Sequence, residues 1–233
     1  MIYAMSDIHG KYDRYIAMLE KIKFSDEDSL FILGDVVDRG EDPIKVLKDM
    51  MERPNVFPIM GNHDLLALQV LRKLSVEITA ENYDCQINSD DMQMLIDWMN
   101  EGGAPTIEQF RRLPVEERED ILNYIAEFSM YDTIDVGEKT FILVHAGLGN
   151  FRPDKKLSEY TKYELMMMRT DPFAVYFEDE SVFIVSGHTP TYYFSGKSEI
   201  LITKSSICID CGACFSHGKL ACICLDTMEE FYV

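Results

Sequence analysis

Positive charge is scarce in this sequence. Lysine and arginine total 22 residues against 41 aspartates and glutamates, so the formal net charge at pH 7 is -19. A surface of that sign repels nucleic acid and acidic membranes unless basic side chains are concentrated in one patch. The sequence has no lysine or arginine cluster of that kind. We therefore expect neither nucleic acid nor a membrane among its partners.

Long apolar runs are also missing, since no stretch approaches the ~20 consecutive apolar residues that cross a bilayer. The N-terminus has neither the basic region nor the apolar core of a secretory signal, so we expect a reducing, cytoplasmic location. What is present is core-forming material: 47% of the 233 residues are hydrophobic. That length suits one sizeable globular domain and is short for two.

Five of the six cysteines lie between residues 208 and 224. The first three have the spacing C-x2-C-x2-C, which resembles part of an iron–sulfur or zinc site. Cys222 and Cys224 alternate with apolar residues, however, as small side chains do on one face of a strand. We expect reduced thiols that serve packing, with a structural metal as the alternative.

Short apolar runs end repeatedly in loops that contain polar, chemically active residues. These runs are residues 2–5, 30–33, 141–144 and 182–185, with a weaker fifth at 56–60 that Pro58 interrupts. Continuous apolar runs predict strands buried on both faces and flanked by helices. Helical spacing does lie between them, with the apolar faces Tyr15, Met18, Leu19 and Ile22, and then Ile44, Leu47 and Met51. The sequence therefore predicts an α/β fold.

Residues from about 65 to 130 have a different pattern, which we call the cap insertion. Apolar spacing predicts helices near residues 65–74 and 92–99, and Pro114 followed by three glutamates predicts the acidic first turn of a third. We expect this segment to cover the site within a single domain spanning residues 1–233. After His188 the pattern predicts only strands, in the segments 200–203, 206–210, 219–225 and 230–233.

Six oxygen or nitrogen donors follow the predicted strands, namely Asp7, His9, Asp35, Asn62, His145 and His188. Taken singly, such a residue is more simply a turn, cap or core residue, but four of the five histidines fall in strand-end loops. Those loops bind ligands in open α/β sheets. Asp7 and His9 are two residues apart, so on an extended segment they would point the same way. The donor set predicts two divalent cations that share a carboxylate, with manganese, iron or zinc favoured over calcium.

Five motifs are similar, in this order, to those of the calcineurin-like metallophosphoesterases, above all the bacterial and phage form of the phosphoprotein phosphatase branch. They are Asp7-Ile8-His9-Gly10, Gly34-Asp35-Val36-Val37-Asp38-Arg39-Gly40, Gly61-Asn62-His63-Asp64, His145-Ala146-Gly147 and Gly187-His188-Thr189-Pro190. The segment from Trp98 to Gly103 resembles a Trp…Asn-Gly-Gly element in the cap of bacterial members, which include symmetrical diadenosine tetraphosphatases.

The resemblance implies a four-layer α/β/β/α metallophosphoesterase sandwich with a helical cap insertion. It also implies two divalent metal ions, manganese first and iron or zinc as alternatives, that turn a bridging water into the attacking hydroxide. One ion would be held by Asp7, His9 and Asp35, and the other by Asp35, Asn62, His145 and His188. His63 would be the general acid, oriented by Asp38, while Arg39 would grip the phosphate. Arg169 is the best match to a second phosphate-binding arginine, and His217 matches no ligand and is predicted to lie in a turn.

The resemblance leaves the substrate open. Our first hypothesis is a serine/threonine protein phosphatase, or a dual-specificity phosphatase that also acts on phosphotyrosine, because the cap insertion shows no obvious basic track for a polyphosphate. The alternative is hydrolysis of symmetrical diadenosine tetraphosphate or another nucleotide, which four basic residues in the insertion keep open: Arg72, Lys73, Arg111 and Arg112. A catalytically dead binding module is the third reading, and the presence of every predicted ligand and of His63 argues against it.

Overall fold

The computed structural model describes residues 1–75 and 88–233, and two five-stranded sheets lie at its centre. The first sheet contains β1 (Ile2–Met5), β2 (Ser29–Ile32), β3 (Val56–Pro58), β9 (Ala221–Cys224) and β10 (Glu230–Tyr232). Its strand order is β10-β9-β1-β2-β3. The first three strands along the chain are parallel, and the two C-terminal strands are antiparallel to their neighbours.

The second sheet contains β4 (Tyr131–Val136), β5 (Lys139–Val144), β6 (Val182–Ser186), β7 (Leu201–Ile202) and β8 (Ser206–Cys208). Its order is β4-β5-β6-β8-β7, with β5, β6 and β8 parallel. The sheets pack face to face through one apolar layer, in which Ala4 and Phe31 of the first sheet join Phe141, Leu143 and Val185 of the second. Since successive strand residues point to opposite faces, this layer uses every second residue.

The other strand residues face helices and long loops on the outer sides. The helices are α1 (Tyr12–Ile22), α2 (Pro43–Met51), α3 (Asn62–Leu74), α4 (Ser89–Trp98), α5 (Ala104–Phe110), α6 (Val115–Ala126), α7 (Lys162–Met166) and α8 (Tyr192–Ser195). Together with the apolar faces of the helices, these strand residues form a second apolar cluster, which includes Tyr3, Met5 and Ile142. The predicted four-layer α/β/β/α architecture is thereby confirmed. No helix within the two described ranges combines the length and apolar character needed to cross a membrane.

The apolar faces of the first two helices were predicted almost correctly. All four residues predicted for α1 are buried. In α2 the prediction of Met51 is wrong, because this side chain is 37% exposed while Met50 is 1% exposed. Met50 stands three residues after Leu47 and so lies on the same apolar face of the helix. Pro43, in the first turn, favours the start of the helix at this position.

The cap insertion contains the three predicted helices and one more. α3 begins at Asn62 rather than near residue 65, so Asn62 and His63 form its first turn. The unpredicted helix is α5, where Pro105 stands in the first turn and loses no hydrogen bond there. Residues 76–87 of the insertion lie outside the described residues. The single domain over residues 1–233 and the covering role of the insertion stay predictions.

Two features of the C-terminal half correct the sequence analysis. The all-strand prediction after His188 is wrong at α8, and β4 was not predicted. The packing role of the cysteines is confirmed for β9, where Cys222 and Cys224 are 0% and 2% exposed and face the helical layer. The five cysteines from 208 to 224 are free thiols, and the groups able to hold a metal in the described ranges include none of them.

Candidate functional site

The loops that follow four strands and the first turn of α3 meet at one edge of the sandwich. Backbone hydrogen bonds tie these segments together: the amide of Asp7 donates to Gly34 at 3.0 Å, and the amide of His9 donates to Asp35 at 2.9 Å. The amide of Gly187 likewise donates to the carbonyl of His145 at 2.8 Å. Segments distant in the sequence are therefore fixed side by side before any ligand is considered.

Asp35 lies at the centre of two groups of potential metal ligands. Ligand atoms of His9, Asp35 and His63 lie within 4.8 Å of one another, and so do those of Asp35, His145 and His188. One carboxylate oxygen of Asp35 is 3.6 Å from Nε2 of His9, while the other is 3.4 Å from Nε2 of His145. A carboxylate that faces both groups has the position needed to bridge two cations.

The two remaining predicted donors lie in the same place. The Oδ1 atom of Asn62 is 2.9 Å from Nε2 of His145 and 3.0 Å from Nδ1 of His188. Asp7 accepts a hydrogen bond from the backbone amide of His188 at 3.0 Å. The structure thus brings all six predicted donors together. It also places His63, which the sequence analysis predicts to be the general acid, in one group with His9 and Asp35.

The backbone hydrogen bonds of two imidazoles leave their Nε2 atoms as acceptors on the side of the site. Nδ1 of His145 donates to the Leu33 carbonyl at 2.7 Å, and Nδ1 of His9 donates to the Val37 carbonyl at 3.0 Å. In each neutral ring the other nitrogen, Nε2, is then an acceptor, and histidines that bind metals are oriented in this way. When His145 is neutral, its Nε2 lone pair faces the Asn62 oxygen, another acceptor, at 2.9 Å. Two facing acceptors repel each other, and a cation bound between them would remove this repulsion. The donor set therefore fits the implied metal ions.

The charge balance of the site points the same way. Five aspartates gather here, each less than 5% exposed: Asp7, Asp35, Asp38, Asp64 and Asp210. The guanidinium of Arg39 is placed among them and lies 2.9 Å from Nε2 of His9 and 2.8 Å from Nε2 of His63. Buried carboxylates persist only when paired with cations or well hydrogen-bonded. Divalent cations would supply the positive charge that one arginine cannot.

Burial controls how these groups ionise. It raises the pKa of Asp7, and the negative charge of Asp35 adds to the effect. Burial also opposes ionisation of Asp35, but the facing imidazoles hold its pKa below the usual value. Burial lowers the pKa of His9 to about 3 and that of His188 to about 4. His9 and His188 are therefore neutral at pH 7 and keep the lone pairs that a cation needs. Burial also opposes the charged form of His145, but the negative charges of Asp35 and Asp7 raise its pKa.

His63 and Asp38 form the predicted pair. Nδ1 of His63 lies 2.8 Å from Oδ2 of Asp38, and the two side chains are 3% and 0% exposed. Burial opposes the charged imidazole, but the negative charge of Asp35 and the hydrogen bond to Asp38 raise the pKa of His63. A raised pKa keeps a larger share of the ring protonated near neutrality, which suits a proton donor.

Unusual backbone conformations are concentrated at this edge. Of the nine non-glycine residues with positive φ in the described ranges, six are candidate site residues: Asp7, His9, Asp35, Asp38, Arg39 and His188. The assumption of an extended Asp7–His9 segment was therefore wrong, since their φ angles are 52° and 46°. Such conformations cost about 1–3 kcal/mol each and are found where function requires them.

Asp64 is a site residue that the sequence analysis quoted but gave no role. Its buried carboxylate accepts hydrogen bonds from the amides of Asp35 at 2.8 Å, Val36 at 2.9 Å and Gly61 at 3.1 Å. It thereby fixes the loop that carries Asp35. The helix-start spacing of an acid three residues after Gly61 was the available signal. Gly61 itself allows close approach, because a Cβ there would lie 2.2 Å from the Asp35 amide nitrogen.

A cavity of about 560 Å³ opens over these residues. Asp35, Arg39, Asn62, His63 and His188 line it on the site's side. Its other walls are Leu65, Leu66, Gln69, Glu101, Lys162, Tyr163, Met166, Met167 and Arg169. The structure thus places the predicted Arg169 on the same cavity as Arg39.

The basic and aromatic residues that line the cavity differ in part from those that the sequence suggested. Lys162 and Tyr163, at the start of α7, line the cavity but belong to no motif in the sequence. The four basic residues of the cap insertion do not line it; Lys73 pairs with Asp91 at 2.6 Å, and Arg112 pairs with Glu108. His217 lies in a turn as predicted, and its ring stacks on Phe215.

Comparison with known proteins identifies the family of this chain. Residues 1–216 match the family model described as calcineurin-like phosphoesterase. Curated relatives named symmetrical bis(5'-nucleosyl)-tetraphosphatase include one from Wigglesworthia glossinidia brevipalpis, 29% identical over 48% of this chain and 42% of the relative. Another, from Buchnera aphidicola subsp. Acyrthosiphon pisum, is 36% identical over 42% of this chain and 36% of the relative. The match thus spans less than half the length of these relatives.

Solved structures show the same fold. A crystal structure of a candidate diadenosine tetraphosphatase covers 100% of this chain and 92% of its own, with a TM-score of 0.67 at 18% identity. A metallophosphoesterase from Sphaerobacter thermophilus covers 100% and 87%, with a TM-score of 0.53 at 18% identity. The chain belongs to the calcineurin-like phosphoesterase family. The fold class and family predicted from the sequence are confirmed.

Proposed function

We propose that this chain is a metal-dependent hydrolase of nucleotide phosphoanhydrides, with a dinucleoside tetraphosphate cleaved symmetrically as its substrate. The observation that carries the proposal is the make-up of one cavity, where cationic side chains and an apolar, partly aromatic wall adjoin the metal-ligand candidates. The names of the curated relatives support the same substrate. The nucleotide alternative therefore replaces the protein phosphatase as our preferred reading.

The metal ligands in this proposal are Asp7, His9, Asp35, Asn62, His145 and His188. When bound, two divalent cations would polarise the phosphoryl group and lower the pKa of water to near neutrality. Arg39 would hold phosphoryl oxygens through its paired N–H donors, a geometry that lysine cannot reproduce. His63 would donate a proton from Nε2 to the departing oxygen, while Asp38 fixes its orientation through Nδ1. Arg169 would bind a further phosphoryl oxygen.

The rest of the cavity suits the two other parts of a nucleotide. Lys162 and Arg169 line the same cavity as Arg39 and add the positive charge that a polyphosphate chain would need. Tyr163 offers an exposed ring, and Leu65, Leu66 and Met167 offer apolar surface, against which a nucleobase would pack. The net charge of -19 makes this local positive charge necessary for an anionic substrate.

The phosphoprotein reading keeps one specific observation in its favour. Tyr163 and Met167 are 63% and 46% exposed at the edge of the cavity, where the residues flanking a phosphoserine would also find apolar surface. The two proposed substrates differ in the positive charge that they would use, because only the tetraphosphate would extend past Arg39 and Arg169 to Lys162. The role of Lys162 therefore separates them.

A direct comparison of substrates tests the proposal. With manganese added, we expect kcat/KM for diadenosine tetraphosphate to exceed that for a phosphoserine peptide by at least about tenfold, a difference of ~1.4 kcal/mol in transition-state binding. Chromatography of the products should show adenosine diphosphate alone, as symmetrical cleavage requires. A preference for the phosphopeptide, or products of unequal length, would overturn the assignment.

Lys162→Gln provides the matched variant for this comparison. Because an exposed ion pair contributes up to about 1 kcal/mol, we expect kcat/KM for the nucleotide to fall by about fivefold. Hydrolysis of an aryl phosphate, which is too small to reach Lys162 in this assignment, should not change. A fall of equal size for both substrates would remove the polyphosphate role of Lys162.

A further inference from the structure

Asp38 is held by two side chains of the cap insertion that no step of the proposed mechanism uses. The indole Nε1 of Trp98 donates to Oδ2 of Asp38 at 2.8 Å, on the same oxygen that receives His63. The hydroxyl of Thr106 donates to Oδ1 at 2.7 Å and accepts the Asp38 amide at 3.0 Å. Two side-chain donors besides His63 therefore hold the Asp38 carboxylate from which His63 takes its orientation.

These contacts are fully withdrawn from solvent. Trp98 and Asp38 are both 0% exposed, and Thr106 is 1% exposed. The indole ring is held by Gly103, where a Cβ would meet ring atoms at 2.5 Å. In such surroundings each hydrogen bond to a carboxylate is strong and its loss leaves a buried acceptor unsatisfied. The contacts are thus suited to holding one rotamer of Asp38.

The same short segment also contacts the phosphate-binding arginine. The amide of Arg39 donates to the Gly102 carbonyl at 2.9 Å. Gly102 has a φ of +107°, and a Cβ there would lie 2.7 Å from Cγ of Arg39. Residues 98–106 therefore contact two parts of the proposed catalytic arrangement. One is Asp38, the partner of the proton donor His63, and the other is Arg39, which would bind the phosphoryl group.

We propose that Trp98 and Thr106 are positioning residues that orient Asp38, and through it His63, for proton transfer to the leaving group. The inference rests on the proposed phosphoester hydrolysis with His63 as proton donor. It makes the cap insertion part of the catalytic arrangement rather than a cover alone. Loss of either donor should slow the steps that need a proton and leave substrate binding nearly unchanged.

The contact itself is tested without substrate. Trp98 is the only tryptophan in the sequence, so ¹⁵N-labelled protein gives a single indole N–H signal. We expect Asp38→Asn to shift that signal upfield, because a charge-assisted hydrogen bond becomes a neutral one. Asp97→Asn, which changes an exposed carboxylate next to Trp98, serves as the control and should leave the signal in place. A signal that Asp38→Asn does not move contradicts the inference.

The positioning role is tested with an isosteric pair at Thr106. Thr106→Val removes the hydroxyl and keeps the shape, while Thr106→Ser keeps the hydroxyl. For phenyl phosphate, whose leaving group needs a proton, we expect Thr106→Val and Trp98→Phe to lower kcat by about 10- to 100-fold with little change in KM. For 2,4-dinitrophenyl phosphate, whose leaving group needs none, kcat should stay within about threefold of the original protein. Thr106→Ser should retain most activity on both.

The outcomes separate the two proposals. Equal losses on both aryl phosphates, or equal losses in Thr106→Val and Thr106→Ser, would reduce these residues to structural packing and overturn the positioning role. A protein that hydrolyses no phosphoester even before substitution would instead remove the proposed function, and the role of Trp98 with it, whatever the indole signal shows. If Trp98→Phe fails to fold, the Thr106 pair and the indole signal decide the question.

Discussion

Asp35→Asn is expected to lower kcat/KM for every phosphoester substrate by about a thousandfold or more. The estimate follows from the several kcal/mol that a metal centre contributes to stabilising transition-state charge, at about 1.4 kcal/mol per factor of ten. Asp35 faces both candidate ligand groups, so its substitution affects both at once. Asparagine keeps the size of the side chain and an oxygen that can still accept the amide of His63, now bonded to Asp35 at 3.0 Å.

Steady-state kinetics with added manganese measures this effect, and thermal unfolding shows that the variant still folds. Asp132→Asn is the matched control, since it makes the same change at an exposed position on β4. We expect this control to retain full activity. An Asp35→Asn protein within about tenfold of the original activity, a loss of only ~1.4 kcal/mol, would contradict the central role of this carboxylate.

His63→Asn is expected to lower kcat by about 10²- to 10⁴-fold for substrates with poor leaving groups, the usual contribution of a general acid. The effect should shrink for 2,4-dinitrophenyl phosphate, whose leaving group departs unprotonated. Substrate binding should change little, because Arg39 and Arg169 remain. Kinetics on a series of aryl phosphates with leaving groups of different pKa measures the dependence.

The same variant separates proton transfer from metal binding. A ligand atom of His63 lies within 4.8 Å of those of His9 and Asp35, so the geometry alone would also allow His63 to hold an ion. In our proposal, Nδ1 of His63 is hydrogen-bonded to Asp38 and Nε2 carries the proton that goes to the leaving group, so neither nitrogen is free to bind a cation. We therefore expect His63→Asn to bind as much manganese as the original protein. Loss of metal together with activity would reassign His63 as a ligand.

The parts of the site that follow strand ends could be predicted from the sequence. Apolar runs such as residues 141–144 predict buried strands, and the residue after each run then lies at the edge where ligands bind. His145 directly follows β5, and His188 lies two residues after β6, as that reasoning expects. The ordered motifs added the pairing of His63 with Asp38, which the structure places 2.8 Å apart.

Contacts between distant segments could not be predicted in this way. Trp98 lies 60 residues from Asp38 and Thr106 lies 68 residues from it, and no local pattern encodes their hydrogen bonds. Lys162 reaches the cavity only because α7 packs beside it, which depends on the tertiary fold. The left-handed backbone at Asp7 and His9 accompanies hydrogen bonds to the next loop; Asp and His tolerate this conformation better than most non-glycine residues, but no local pattern requires it.

Calorimetric titration of chelator-treated protein with manganese tests the central claim most directly. The account predicts two ions per chain, because six donors from five segments of the chain converge around the shared carboxylate of Asp35. Asp35→Asn should abolish or sharply weaken binding of both ions, while Asp132→Asn should bind as the original protein does. A chain that binds no manganese, or that binds two ions equally well without the Asp35 carboxylate, would contradict the account.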